Sequence, residues 1–144
     1  MDIKAEEFLH KLQNKLPLPQ ATHVYVVFGE DDYYRSQLTA ALPDYIYGDT
    51  DEADRQITVF EKDTDISAVS EAVNTYPFFS GRSLVVLKDD KLWSKGGEEA
   101  RQTVLDKLTA LVNDVPEYCT LLISAPKLDK RTKFYKALKK AALL

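Results

Sequence analysis

His23-Val24-Tyr25-Val26-Val27-Phe28-Gly29-Glu30-Asp31-Asp32-Tyr33 decides the fold. From His23 to Phe28 it reads as a continuous apolar strand, the composition of a strand buried on both faces, as in a parallel sheet. Gly29 breaks the strand. Glu30-Asp31-Asp32 then carries N-terminal helix signals, because acids there complement the helix dipole. The helix is expected from about Asp32 to Leu42, with Pro43 stopping it. In α/β sheets this first strand–helix turn is the first place to look for a site. A phosphate loop would need several glycines, so that backbone N–H groups can surround the phosphates, with a lysine for charge and a Ser/Thr for magnesium. This turn has one glycine, no lysine and three acids in a row, which would repel a triphosphate. G-x-G-x-x-G is absent as well, so the turn argues against nucleotide binding.

The same alternation extends outward in both directions. Residues 3–13 read as a short helix with Ala5, Phe8, Leu9 and Leu12 on one face, ended by Lys15-Leu16-Pro17-Leu18-Pro19. Asp44 to Asp49 reads as a short strand or an irregular arm, and Thr50 to Asp54 as an exposed acidic loop. Gln56 to Phe60 is β-branched and alternating, hence a strand. A helix from Asp65, its N-cap, to about Tyr76 would place Ile66, Val69, Val73 and Tyr76 on one face. Ser83 to Lys88 is a buried strand. Asp89 to Gly97 is a loop holding Trp93. Glu98 to Asn113 is a helix striped by Val104, Leu105, Leu108, Leu111 and Val112. Tyr118 to Ser124 is another buried strand, and Asp129 caps a last helix from Lys130 to about Ala142, with Phe134, Leu138 and Ala141 inside. A helix followed by four β-α units implies crossovers and a three-layer, mostly parallel α/β sheet.

Tyr76-Pro77-Phe78-Phe79-Ser80-Gly81-Arg82 joins a helix to a strand. Pro77 cannot continue the helix, and Ser80-Gly81 makes the turn. Two adjacent phenylalanines thus fall in a connection. They read either as rings tucked under the sheet or as a partner-binding hot spot on a loop between rigid elements.

The chain of 144 residues fits one domain, and 44% apolar with 29% charged residues is ordinary for a globular protein. Its N-terminus lacks an h-region, no run approaches a membrane span, and Cys119 stands alone, which together favour the cytoplasm. The net charge of −4 is uneven: Pro126 to Lys140 holds seven Lys/Arg and one Asp, +6, leaving −10 elsewhere. That basic block reads as a nucleic-acid or acidic-partner contact or as a solvated helix face. His10 and His23 are too few for a zinc site, and Cys119 sits in an apolar strand where cysteine is inert core. Asp31 and Asp32, adjacent on a helix, make a poor carboxylate dyad. Lys88-Asp89-Asp90 ends a strand as a magnesium site would, or as plain loop acids. Trp93, near Lys91 and Lys95, reads as a stacking platform or a half-buried loop residue. Ser124-Ala125-Pro126-Lys127 follows a strand and could line a crevice. The residues describe a nucleotide-hydrolase-like shell without its phosphate machinery, a binding module rather than an enzyme.

Val24 to Tyr33, Pro77 to Lys88, and Lys127-Leu128-Asp129-Lys130-Arg131 with Lys133-Phe134-Tyr135-Lys136-Ala137-Leu138 are similar, in order and spacing, to bacterial DNA polymerase III delta subunits of the low-GC Gram-positive type. The resemblance covers nearly the whole chain. It implies a P-loop NTPase (AAA+)-like N-terminal domain over residues 1–144 that lacks the phosphate-binding loop, needs no cofactor and hydrolyses no ATP. It implies a clamp-loader role in DNA replication. The partners would be the sliding clamp (beta subunit), the other clamp-loader subunits and, through the assembled loader, DNA. Phe78 and Phe79 would be the clamp-binding anchors, supported by Val73, Asn74, Tyr76 and Pro77. Lys130, Arg131, Lys133 and Lys136 would be a DNA or subunit contact. Family members are more than twice this long, so the lid and collar domains are expected to be absent from these residues. The alternatives are a nucleotide-binding ATPase domain with a degenerate phosphate loop, and a DNA-binding module using the basic helix.

Overall fold

The computed structural model describes residues 2–18, 23–79, 81–94 and 96–143; Pro19, Ser80 and Lys95, named above, lie outside them. The elements are α1 (Ala5–Gln13), β1 (Val24–Phe28), α2 (Asp32–Tyr47), β2 (Gln56–Phe60), α3 (Ile66–Val73), β3 (Ser83–Leu87), α4 (Glu98–Val112), β4 (Cys119–Ala125), α5 (Lys133–Ala141) and a two-residue β5 (Ala142–Leu143). The strands form one sheet in the order β2-β3-β4-β1-β5, every pair parallel. Register runs Val24 to Leu121 and Phe28 to Ala125 between β1 and β4, and Ser83 to Cys119 between β3 and β4.

Side chains alternate across a strand, so each strand supplies two cores. Val24, Val26, Val85, Leu87, Leu121 and Ile123 face α3, α4 and α5. Tyr25, Val27, Leu84, Val86 and Leu122 face α1 and α2. This is the expected three-layer arrangement, with β3 buried at every position and β2 only half covered at the edge.

The expectation that Pro43 stops α2 is corrected: the helix continues to Tyr47, and Asp44 to Tyr47 is neither strand nor arm. Proline removes one intrahelical donor, but tertiary contacts beyond it sustain the last turn. Tyr47 is buried, and its hydroxyl lies 3.0 Å from the carbonyl oxygens of both Gln56 and Arg82. Arg55 donates to Gly48 O at 3.0 Å, Thr50 O at 3.1 Å and the Asp44 carboxylate at 2.8 Å, closing the helix C-terminus with a cation. Gly48, at φ +55°, makes the exit that a side chain would oppose.

Two further boundaries differ from expectation. α3 ends at Val73, with Asn74 closing it through its backbone N–H and side-chain amide to Ser70 O, so Tyr76 leaves the helix and its apolar face. The last helix begins at Lys133, not Lys130: Asp129 accepts from Arg131 N and closes a preceding turn, while Thr132 Oγ1 accepts from Tyr135 N. Asp31 and Asp65 do cap α2 and α3, accepting from Tyr33 N and Ser67 N at 2.9 Å.

Because Pro43 leaves Thr39 O without its helical donor, Pro43→Ala is expected to raise stability by about 1–3 kcal/mol, read from the urea midpoint at unchanged m-value. A loss of stability would show instead that the fixed proline φ is needed for the path of α2.

Candidate functional site

All strands are parallel, so the loops that precede them gather at one end of the sheet and those that follow them at the other. The loop from α3 to β3 lies at the entry end. Its foundations are rigid. Val73, the last residue of α3, is fully buried, and Pro77 is buried as well. Tyr118 donates to Asn74 O at 2.9 Å, and its ring lies 5.1 Å from that of Tyr76. Arg82 donates to Ile46 O at 2.8 Å while its own carbonyl accepts from Tyr47, so the far end is tied to α2. Gly81 turns the chain at φ +71°.

From this support the aromatic side chains project outward. Phe78 is 84% exposed, Phe79 79% and Tyr76 68%. The two phenylalanine rings lie with centroids 6.5 Å apart, tilted by 52°. The reading that tucks them into the core is therefore overturned. The loop's apolar supports are Val73 and Pro77, which offer no surface of their own; Asn74 is exposed and holds the helix end.

The exit end of the sheet holds the turn where a phosphate loop would stand. Arg35, the fourth residue of α2, is buried in the crevice between β1 and β4. It donates to both oxygens of Asp90, at 2.7 and 3.2 Å, and to Ser124 Oγ at 3.3 Å. Asp89 is buried and accepts from Thr64 N at 3.1 Å. Both acids after β3 are thus engaged by the protein itself. Among the described residues no cluster of three or more His, Cys, Asp or Glu side chains is placed to hold a metal ion. Arg35 was not singled out in the sequence; its signal is a lone arginine among the acids and tyrosines of the α2 start.

The other candidates resolve as follows. Cys119 is buried and burial pushes its thiol up, an inert core cysteine. Trp93 is half-buried and stacks on Phe134 at 5.9 Å. Pro126 and Lys127 join Trp93 in lining a cleft of about 320 Å³, so the two expectations for that region meet at one place. Lys130, Arg131, Lys133 and Lys136 are all exposed around the start of α5. Arg131 hydrogen-bonds the Asp129 carboxylate through Nε and Nη2, which is the main reason that carboxyl is held down to about 2. Any stabilisation from that pair is complete above the ordinary value near 3.8 and fades as pH falls through about 2.

Because Phe78 and Phe79 face solvent, Phe78→Ala/Phe79→Ala is expected to move stability by no more than about 0.5 kcal/mol, whereas Val73→Ala in the same loop's base should cost on the order of 2 kcal/mol. Parallel urea melts check this, and an equal loss in both would place the rings in the core.

A family model described as DNA polymerase III, delta subunit, matches residues 25–144. The DNA polymerase III subunit delta of Bacillus subtilis is 28% identical over 128 residues, covering 84% of this chain and 36% of the relative. The solved Bacillus subtilis DNA clamp loader delta protein superposes with a TM-score of 0.72 at 21% identity, covering 98% of this chain and 42% of that one. A DNA polymerase III gamma subunit-related protein from Thermotoga maritima superposes with a TM-score of 0.60 at 14% identity, covering 99% and 46%. The chain thus spans less than half the length of each of these relatives, and it shares the fold of the two solved structures.

Proposed function

The chain belongs to the DNA polymerase III delta-subunit family, and from that premise we propose that it is the sliding-clamp-binding domain of a clamp loader, acting in DNA replication in the cytoplasm. The observation that carries this reading is the exposure of two adjacent phenylalanines, 84% and 79%, on a loop held at both ends by hydrogen bonds to fixed elements. Rigid aromatic side chains presented this way lose little entropy on docking and bring a large apolar area to a pocket. The two rings fill an apolar pocket on the clamp. Tyr76 and Asn74 flank them, and Val73 and Pro77 brace the loop from inside. Binding energy of this kind opens a ring only if the open form offers the better fit, so the loop acts as a wedge that favours the open clamp.

The domain works by binding, with no ATP hydrolysis of its own. Arg35 stands in the crevice outside the carboxyl ends of β1 and β4, where ligands of such sheets bind, and is tied there by Asp90 and Ser124. This supports the clamp-binding reading over a degenerate ATPase. The exposed cations Lys130, Arg131, Lys133 and Lys136 serve as a contact for DNA or for another loader subunit in the assembled complex.

Surface plasmon resonance against the sliding clamp of the same organism tests the proposal. Saturable binding is expected, with Phe78→Ala/Phe79→Ala lowering affinity by at least about 30-fold, since one hot-spot ring is worth about 2 kcal/mol or more. Unchanged affinity in a folded double variant would remove the anchor assignment, and no binding by the folded wild type would remove the clamp reading.

A further inference from the structure

One residue holds the diphenylalanine loop from both sides. Tyr118 lies in the turn that opens β4, closed by Cys119 N donating to Pro116 O at 3.0 Å. Beyond that turn the chain enters the middle of the sheet, where Cys119 is fully buried and stands in register with Ser83 of β3. β4 is paired on both edges, between β3 and β1, so Tyr118 stands on one of the most firmly held parts of the domain. Its main-chain carbonyl accepts from Ser83 N at 2.8 Å, at the far end of the loop. Its hydroxyl donates to Asn74 O at 2.9 Å, at the near end. Asn74 closes α3, and the last carbonyls of a helix have no intrahelical donor, so this bond fills a place that the helix leaves open. The half-buried Tyr118 ring packs on the core that faces α3, α4 and α5 and meets the Tyr76 ring at 5.1 Å, tilted by 60°.

The two attachments differ in what supports them. On the Ser83 side the loop is tied as well by Arg82 to Ile46 O at 2.8 Å and by Tyr47 to Arg82 O at 3.0 Å. On the Asn74 side the other bonds of Asn74 and Thr75 return to α3 itself, to Ser70 O, Glu71 O and Ala72 O. The Tyr118 hydroxyl reaches that side from a different element and ties it to the sheet. We propose that Tyr118 is the positioning residue of the clamp contact: its hydroxyl fixes the near end of the loop so that Phe78 and Phe79 are presented together before the clamp arrives. The inference rests on the clamp-binding reading of the two rings and adds the residue that sets their readiness. Without the hydroxyl the loop stays hinged at Arg82 and Ser83, and its near end samples more directions. Only a fraction of the molecules then holds both rings in the docking arrangement, and the apparent dissociation constant rises by the inverse of that fraction. Fixing the loop in advance lowers the entropy lost on docking, which is how a residue that does not touch the partner governs affinity.

Tyr118→Phe deletes the hydroxyl and keeps the ring and the carbonyl bond to Ser83. Tyr45→Phe is the control, deleting a bond of the same kind to Leu16 O at 2.9 Å, in the connection after α1. Binding to the sliding clamp of the same organism is read by surface plasmon resonance at a temperature where every variant is folded. Backbone amide order parameters of Tyr76, Phe78 and Phe79 are read in the free chain by NMR relaxation. Tyr118→Phe is expected to lower clamp affinity about three- to tenfold, the worth of one net hydrogen bond, and to lower those order parameters. Its melting temperature should shift no more than that of Tyr45→Phe, which should bind the clamp as the wild type does. Wild-type affinity in Tyr118→Phe overturns the proposal and leaves the clamp reading intact. So does a loss of affinity with unchanged order parameters, which would make the hydroxyl a direct clamp contact, and so does an equal loss in Tyr45→Phe. A folded wild type that does not bind the clamp overturns the clamp reading itself, and the proposal with it.

Discussion

Everything in this domain depends on a sheet whose strands are parallel and covered on both faces. Parallel neighbours cannot be joined by a hairpin, so each strand must be followed by a crossover. The right-handed crossovers distribute the helices to both faces, with α1 and α2 on one and α3, α4 and α5 on the other. One consequence is the near-continuous apolar sequence of β1, β3 and β4. Another is that all entry loops share one end and all exit loops the other. The diphenylalanine loop and the acidic turn are therefore held apart by the sheet itself.

The strands were legible because burial on both faces leaves a run of β-branched and aliphatic residues with nothing else to explain it. Asp31 and Asp65 were legible as caps because their side chains act within two residues of sequence. What escaped depends on contacts distant in sequence. Pro43 reads locally as a stop, yet Arg55 and the carbonyls of Gln56 and Arg82 secure the turn beyond it. Tyr76 continues the three-four spacing of α3 but leaves the helix, because Asn74 closes the helix end first and Tyr118 fixes the chain beyond it. Arg35 could not be assigned from sequence, because its partners Asp90 and Ser124 lie 55 and 89 residues away.

Phe78 and Phe79 illustrate the limit of composition as a guide. Phenylalanine is a core residue by default, and nothing in a single sequence states which ring is the exception. The decision was made by the loop's supports. Val73 and Pro77 already fill the space beneath the loop, and the backbone is pinned on both sides by Tyr118 and Arg82. With the loop tied at both ends, the two rings face solvent against the hydrophobic effect.

The acidic turn and Arg35 make one coherent departure from a nucleotide site. A phosphate loop presents backbone donors and a lysine to anions, and the strand-end acid then holds a metal. Here the turn carries acids in place of those donors, and the strand-end acid Asp90 is neutralised by an arginine reaching across from α2. Removing the lysine alone would have left Asp90 beside the crevice with no counter-charge. Adding Arg35 alone would have left an anion site. The two changes together give a crevice that is braced without a ligand, with a rim of inverted sign. The exit end of this sheet thus carries a rim of acids, while its entry end presents exposed aromatic surface.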